Sequence, residues 1–235
     1  MKKIWKITAI SDTHNKHKVL DQFFPGGDIL IHAGDSTSRG YKHELENFFK
    51  WYNGIDSYDH KLFIAGNHDF GFQDFPQELK GILTGYKSIE YLQDELIMLG
   101  EGEVDYIDMI KIWGTPWQPE FYNWAFNLPK GEPLKEKWDL IPMNTDILIV
   151  HGPPYGKLDY VPHNNLNVGC EELMKKIGEI KPKIVIFGHI HEGYGYVFDG
   201  TTHFINASVL DGQYIYKNKP VSFEWDQVTN EINFL

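Results

Sequence analysis

Five apolar runs, each followed at once by a cluster of polar residues and glycine, constrain the fold of this chain more than any other sequence feature. The runs have the length and continuous apolar character of buried β-strands, and they span residues 4–10, 28–32, 61–65, 146–150 and 183–187. The segments between them include helical patterns at 18–24, 41–52, 76–83 and 169–180. Strands that alternate with helices predict an α/β architecture.

The polar clusters after these runs carry candidate metal ligands. Residues directly beyond the carboxyl ends of the strands in an open α/β sheet meet in one crevice, so we expect the clusters to converge. Their ligand-type side chains are Asp12, His14, Asp35, Asn67, His151, His189 and His191. These oxygen and nitrogen donors suit manganese, iron, zinc or a similar divalent ion. Because seven ligands exceed what one ion normally accepts, we expect two ions that share a bridging carboxylate, which we assign to Asp35.

Other parts of the chain predict strands without intervening helices. Residues 90–113 predict two strands joined through a turn at 100–103, and further strands are expected in 202–210, 221–225 and 231–235. With 235 residues and 42% hydrophobic content, the chain can bury a sizeable core. We therefore expect two packed sheets, mixed in direction, with helices outside, in a single domain of residues 1–235.

Charge and cysteine content limit the partners and the location. The sequence has 33 acidic residues and 22 lysines and arginines, and the net charge of −11 weighs against long nucleic acids and anionic membranes as partners. The single cysteine, Cys170, cannot form an intramolecular disulfide, and the first residues lack a signal-peptide pattern. No apolar run reaches the length of about 18 residues that a membrane span requires. We expect a cytoplasmic protein of unspecified oligomeric state.

The strand-end motifs resemble those of a known superfamily. They run D-x-H at 12–14, G-D at 34–35, G-N-H-D at 66–69, a lone histidine at 151 and G-H-x-H at 188–191. This order is similar to the signature of the calcineurin-like metallophosphoesterases. The segments GTPWQPEFYNWAFNLP, LIPMNTDILIVHGPP and FGHIHEGYG further resemble the metallophosphoesterase-domain-containing (MPPED) family, and this similarity extends over nearly the whole chain.

The resemblance implies a four-layer sandwich with two metals at its edge. The first ion would be held by Asp12, His14, Asp35 and His191, and the second by Asp35, Asn67, His151 and His189. The family resemblance also implies phosphodiester hydrolysis, with cyclic nucleotides or similar small nucleotides among the substrates. Manganese is the expected ion, with iron, zinc, cobalt or nickel as alternatives.

The residue types suggest a division of labour in catalysis. Two cations lower the pKa of a bound water and neutralise phosphoryl charge, so a hydroxide bridging them is the expected nucleophile. His68 is expected to protonate the leaving oxygen as general acid, or else only to hydrogen-bond the phosphate. Asp69 would orient or charge His68, or make a purely structural hydrogen bond. We expect the substrate to contact Asn67, His68, Tyr155 and Tyr194.

Two sets of residues have a less defined role. The aromatic segment 117–126 could stack on a nucleobase or simply cover the core. His17, His43 and His60 lie in polar surroundings and are expected at the surface, whereas His32 follows a strand and could support Asp35.

Three other functions remain alternatives at this point. A phosphomonoesterase, which includes the protein phosphatases, would use the same metals. A nuclease is disfavoured by the net charge of −11. A non-catalytic scaffold of the same fold is disfavoured because the ligand set is intact.

Overall fold

The computed structural model describes residues 4–100 and 109–235, and its first sheet is built around four parallel strands. These are β1 (Ile4–Ile10), β2 (Gly27–Ala33), β3 (Tyr58–Ile64) and β4 (Ile89–Tyr91). Two antiparallel strands extend the β1 edge, β15 (Val221–Asp226) and then β16 (Ile232–Phe234). The parallel strands are continuous apolar runs because both faces of the sheet are covered.

The second sheet is also built around four parallel strands, with one antiparallel strand at each edge. Its parallel strands lie in the order β14 (His203–Asn206), β12 (Ile184–Phe187), β9 (Ile147–Val150) and β6 (Ile110–Thr115). The antiparallel strands β13 (Gly195–Phe198) and β5 (Glu95–Leu99) form the two edges. Short two-residue pairs lie outside the sheets, namely β7 (Gln118–Pro119) with β8 (Asn127–Leu128), and β10 (Tyr160–Val161) with β11 (Leu166–Asn167).

The two sheets pack face to face through a shared apolar core. Ile31 and Ile64 of the first sheet belong to one buried cluster with Ile112, Ile149 and Ile186 of the second. The outer face of the first sheet is covered by α1 (Lys42–Asn53), α2 (Phe70–Asp74) and α3 (Pro76–Leu83), and that of the second by α4 (Glu132–Asp139) and α5 (Glu171–Ile180). The four-layer sandwich with two mixed sheets is therefore confirmed.

Local sequence explains where several helices begin and end. Pro76 opens α3 at its first turn, where a missing N–H costs nothing. Cys170 caps α5 because its Sγ accepts from Leu173 N at 3.4 Å, and left-handed Lys181 followed by Pro182 ends that helix. The predicted helix at 18–24 is wrong beyond its first turn, since only His17–Leu20 forms a 3₁₀ turn.

The two strands predicted within 90–113 are present as the antiparallel neighbours β5 and β6, but the start of this stretch belongs to the other sheet. Ile89–Tyr91 pairs with β3 in the first sheet, and Glu95–Leu99 pairs with β6 in the second. Left-handed Asp94 (φ 55°) lies in the crossing between them. Most of the predicted turn at 100–103 lies outside the described residues. No helix within the described ranges has both the length and the apolar character to cross a bilayer.

Candidate metal centre

The loops that follow five parallel strands meet at one edge of the sandwich. Backbone hydrogen bonds interlock them: Asp12 N donates to Gly34 O at 3.0 Å, and His14 N donates to Asp35 O at 3.1 Å. Gly188 N donates to His151 O at 3.0 Å in the second sheet. The sheets are joined here by Ser11, whose N donates to Ala207 O at 2.9 Å. The predicted convergence of strand-end clusters is what the structure shows.

Backbone conformation at this edge is constrained. Asp12, Asp35 and His189 have left-handed φ values of 57°, 56° and 67°, which non-glycine residues adopt at a cost and which cluster at functional sites. Gly66 and Gly188 leave room for the carboxylates, because a Cβ on Gly66 would collide with Asp35 Oδ1 and one on Gly188 with Asp12 Oδ2. The loops thus hold two carboxylates in fixed places.

The ligand-type side chains form three overlapping groups, within each of which the ligand atoms lie within 4.8 Å of one another. The groups are Asp12, His14 and His191; His14, Asp35 and His68; and Asp35, His151 and His189. Asn67 adjoins the third group, since its Oδ1 lies 3.0 Å from His151 Nε2 and 2.8 Å from His189 Nδ1. All seven predicted ligands are therefore brought together, with Asp35 between the two halves.

Distances around Asp35 support a shared position. Asp35 Oδ2 lies 3.6 Å from His14 Nε2 on one side and 3.4 Å from His151 Nε2 on the other. On the first side, His191 Nε2 lies 3.5 Å from Asp12 Oδ1. These separations suit donor atoms that surround one cation on each side of Asp35, at metal–ligand distances of about 2 Å.

Backbone carbonyls orient the imidazoles. The Nδ1 atoms of His14, His151 and His191 lie 3.2, 2.9 and 2.8 Å from Thr37 O, Ala33 O and Asp211 O, respectively. Nδ1–H donation to a carbonyl leaves each Nε2 lone pair free to face the centre. Asp12 is fixed by His189 N and by Ser208 Oγ, which donates to Oδ2 at 2.7 Å.

The charge balance of the buried groups fits cations. Burial alone would raise the pKa of Asp12 and of Asp35, but neighbouring His191 and His151 respectively hold both pKa values below the ordinary range. In turn, burial opposes protonation of His151 and His191, yet Asp35 and Asp12 raise the pKa of each to about 9. Protons on His151 and His191 thus balance the charge of the two carboxylates, which divalent ions would otherwise balance.

The remaining imidazoles are ready to act as neutral ligands. Burial lowers the pKa of His14 to about 4 and that of His189 to about 3. His14 Nε2 is buried and has no hydrogen-bond partner. A buried ring nitrogen without a partner is costly unless it binds something, so this atom fits a metal ligand.

His68 faces the centre, whereas the Asp69 carboxylate accepts its hydrogen bonds from Ser36, Thr37 and Gly66. His68 Nδ1 lies 2.9 Å from Ser38 O, and Nε2 lies 3.9 Å from Asp35 Oδ2. Asp69 is buried, and its Oδ1 and Oδ2 accept hydrogen bonds from Thr37 Oγ1 at 2.7 Å and Gly66 N at 2.9 Å, as well as from Ser36. Asp69 thus ties the loop after β2 to the loop after β3.

The expected substrate-contacting tyrosines have different surroundings. Tyr155 is 45% exposed and follows the turn that carries His151. Tyr194 donates its hydroxyl to Lys219 O at 2.9 Å, and its ring packs against the core between the sheets. From the aromatic segment 117–126, the structure brings Trp124 against His68, with ring centroids 4.0 Å apart.

Sequence reasoning missed two residues at the rim of the centre. The Tyr214 ring lies 4.8 Å from His14 and 5.3 Å from His191 between centroids. Arg39, the single arginine of the sequence, places its guanidinium 4.8 Å from the Trp124 ring centroid. Neither lies in a ligand-type motif, and only the three-dimensional arrangement of the loops places them here.

Comparison with known proteins agrees with this fold and site. A family described as Calcineurin-like phosphoesterase matches residues 6–193. The chain belongs to this family and is a metal-dependent phosphoesterase.

Named relatives show which members of this family the chain resembles. The chain is 42% identical over 230 residues to Metallophosphoesterase domain-containing protein 1 of Homo sapiens, with 92% of this chain and 69% of that protein covered. It is 37% identical over 239 residues to UPF0046 protein T07D4.2 of Caenorhabditis elegans, with 93% and 59% covered. The crystal structure of TT1561 of Thermus thermophilus shares the fold, with a TM-score of 0.64 at 16% identity and 99% and 98% of the two chains covered. The family resemblance inferred from the motifs is confirmed.

Proposed function

We propose that this protein is a dinuclear phosphodiesterase that hydrolyses a small nucleotide, with cyclic nucleotides as the expected substrates and manganese as the expected ion. The observation that carries the proposal is the position of Asp35, which belongs to ligand groups on both sides of the centre and also lies 3.9 Å from His68 Nε2. That arrangement supports two ions beside one proton donor.

Asp12, His14, Asp35 and His191 would hold one ion, and Asp35, Asn67, His151 and His189 the other. Two bound divalent ions would supply Lewis acidity that activates water and neutralises phosphoryl charge. Asn67 contributes a neutral carboxamide where a third carboxylate would reduce the positive field at the centre. That field favours an anionic phosphate ester even though the chain carries a net charge of −11.

His68 would serve the leaving group. A phosphodiester releases an alkoxide, which is a poor leaving group until it receives a proton. Ser38 O holds His68 Nδ1, so Nε2 is the nitrogen that faces the ligand groups. Donation of the Nε2 proton to the departing oxygen leaves a neutral imidazole.

The rim supports a small anionic substrate. Within residues 4–100 and 109–235, no carboxylate lies within 4.0 Å of the Arg39 guanidinium, so this cation is available to an anion. Tyr214 and Trp124 line the same rim through their contacts with His68. Long nucleic acids are not proposed as substrates because the net charge is −11.

A manganese-supplemented substrate screen tests the proposal. It compares 2′,3′- and 3′,5′-cyclic nucleotides, bis-4-nitrophenyl phosphate and 4-nitrophenyl phosphate, with Asp35→Asn as the inactive control. We expect kcat/KM for the nitrophenyl diester to exceed that for the monoester by at least about tenfold, or ~1.4 kcal/mol. A strong preference for the monoester would identify a phosphomonoesterase, and no turnover with any divalent metal would identify a scaffold.

We also propose a cytoplasmic location. The one cysteine, Cys170, is buried and unpaired, which is compatible with a reducing compartment. Cells that express the protein can be fractionated and compared with compartment markers. Separation of the protein with a secreted or organellar marker would contradict the cytoplasmic location.

A further inference from the structure

The indole ring of Trp124 lies on the imidazole of His68. The ring centroids are 4.0 Å apart and the planes are inclined by 30°, which is a stacked geometry. Trp124 is half-buried in the loop between β7 and β8. Its neighbours Phe121 and Tyr122 are 58% and 76% exposed and contact each other instead. Within the described part of this loop, Trp124 is thus the aromatic residue that reaches His68.

Beside Trp124, two close contacts orient the His68 ring, while the Tyr214 ring lies farther away, at 6.3 Å between centroids. Ser38 O accepts from Nδ1–H at 2.9 Å, and the His14 ring meets His68 edge-on at 4.6 Å with an angle of 84°. Neither contact prevents the imidazole from tilting out of its plane, because a single hydrogen bond acts as a pivot. The face of the Trp124 indole blocks the tilt of the imidazole toward that side.

Hydrogen bonds of the neighbouring backbone fix the position of Trp124 relative to His68. Ala125 N donates to Asn67 O at 3.1 Å, and Phe126 N donates to Gln73 Oε1 at 2.7 Å. Arg39 covers Trp124 with its guanidinium, and Arg39 N donates to Glu44 Oε2 at 3.2 Å. The loop that carries Trp124 is therefore bonded to the turn that carries His68.

We propose that Trp124 is a positioning residue that keeps His68 Nε2 directed at the leaving oxygen. The proposal rests on the proposed function, in which His68 transfers its Nε2 proton as the bond between phosphorus and the leaving oxygen breaks. The terminal torsion of histidine is broad, so an unsupported ring samples orientations in which Nε2 points elsewhere. A misplacement of about 1 Å can lower a rate by about a hundredfold.

The kinetic test compares Trp124→Leu and Trp124→Phe with the matched control Tyr122→Leu. Manganese-loaded enzymes are assayed on methyl 4-nitrophenyl phosphate and on methyl phenyl phosphate, which differ only in the leaving group. Trp124→Leu should lower kcat on the phenyl ester by about ten- to a hundredfold, affect the nitrophenyl ester much less and leave KM nearly unchanged. Trp124→Phe should recover most of the loss, because its ring can still stack.

A double-variant comparison identifies the route of the effect. In a His68→Ala background, Trp124→Leu should cause little further loss, since both substitutions remove the same contribution. Additive losses, or equal losses on the two esters, would overturn the positioning role.

A spectroscopic measurement does not depend on activity. Long-range ¹H–¹⁵N correlation spectra of the metal-free protein should show a single set of His68 ring signals, in which the Nδ1 proton that is bonded to Ser38 O exchanges slowly. Trp124→Leu should accelerate that exchange, and Tyr122→Leu should not. If no phosphodiester is turned over, the proposed function fails, but this spectrum still tests whether Trp124 positions His68. An unchanged His68 signal in Trp124→Leu would refute the positioning role.

Discussion

His151 Nε2 lies 3.4 Å from Asp35 Oδ2, and this contact spans the two sheets of the sandwich. Asp35 follows β2 in the first sheet, and His151 follows β9 in the second. The centre therefore depends on how the sheets are packed as well as on the loops of either one. Substitutions that alter this junction should change metal content even where they remove no ligand.

His68→Ala should retain both metals and slow esters with poor leaving groups most. The side chain provides a proton that 4-nitrophenolate hardly needs, because that anion is already stable. We expect a loss of about a hundredfold on methyl phenyl phosphate and a much smaller one on methyl 4-nitrophenyl phosphate. Equal losses would remove His68 from the acid role.

Asp69→Asn should destabilise the fold more than it alters the pH dependence of catalysis. The carboxylate accepts from Thr37 N at 3.0 Å and from Gly66 N at 2.9 Å. An asparagine at this position would direct its NH₂ group at one of these two backbone N–H groups, so one hydrogen bond would be lost. We expect the free energy of unfolding in urea to fall by roughly 2–3 kcal/mol, against little change for exposed Asp56→Asn. A shifted pH–rate profile with unchanged stability would instead link Asp69 to His68.

Gly66→Ala should lower metal content without removing a ligand. The added Cβ would meet Asp35 Oδ1 and displace the carboxylate. Gly178→Ala is the matched control, because a Cβ there meets nothing within 4 Å; in a helix it should raise stability by about 0.5–1 kcal/mol. Full metal occupancy in Gly66→Ala would show that the carboxylate tolerates displacement.

Several elements could be predicted because their causes are local. The helix at 76–83 begins at a proline and has the expected bounds, Pro76–Leu83. The ligand clusters follow parallel strands, whose carboxyl ends share one edge of the fold. The position of the clusters at strand ends therefore predicted that they converge, whereas the grouping of Asp12 with His191 was implied by the family resemblance and agrees with their 3.5 Å separation.

Other features depend on distant packing. His17 was predicted at the surface from its polar neighbours, but this was wrong, because Phe48 and Trp51 of α1 cover its ring and leave it fully buried. The crossing of 89–99 between sheets was missed for a similar reason, since a short apolar run does not specify its partner strand. Trp124 and Tyr214 reach the centre through loop paths that local periodicity does not encode.

The burial of His17 predicts a pH-dependent stability. Burial, helped by the charge of Lys18, lowers the pKa of His17 from 6.5 to about 4. The unfolded chain therefore takes up a proton at higher pH than the folded chain, so stability falls as the pH decreases from 6.5 to about 4. This group contributes a loss of up to about 3 kcal/mol over that interval.

Urea denaturation of the metal-free protein at a series of pH values measures the effect. Below pH 6.5, the free energy of unfolding should decline less steeply in His17→Gln than in the unsubstituted protein. His43→Gln, at an exposed position, serves as the matched control. Parallel curves for the parent and His17→Gln would refute the assignment.

The most direct test of the two-metal account is the metal stoichiometry of the parent and of Asp35→Asn, measured by mass spectrometry after manganese loading and desalting. A carboxylate that belongs to both ligand groups should be required by both ions. We predict about two ions per chain in the parent and substantial loss of both in Asp35→Asn. Two ions at full occupancy in Asp35→Asn would contradict the bridging role.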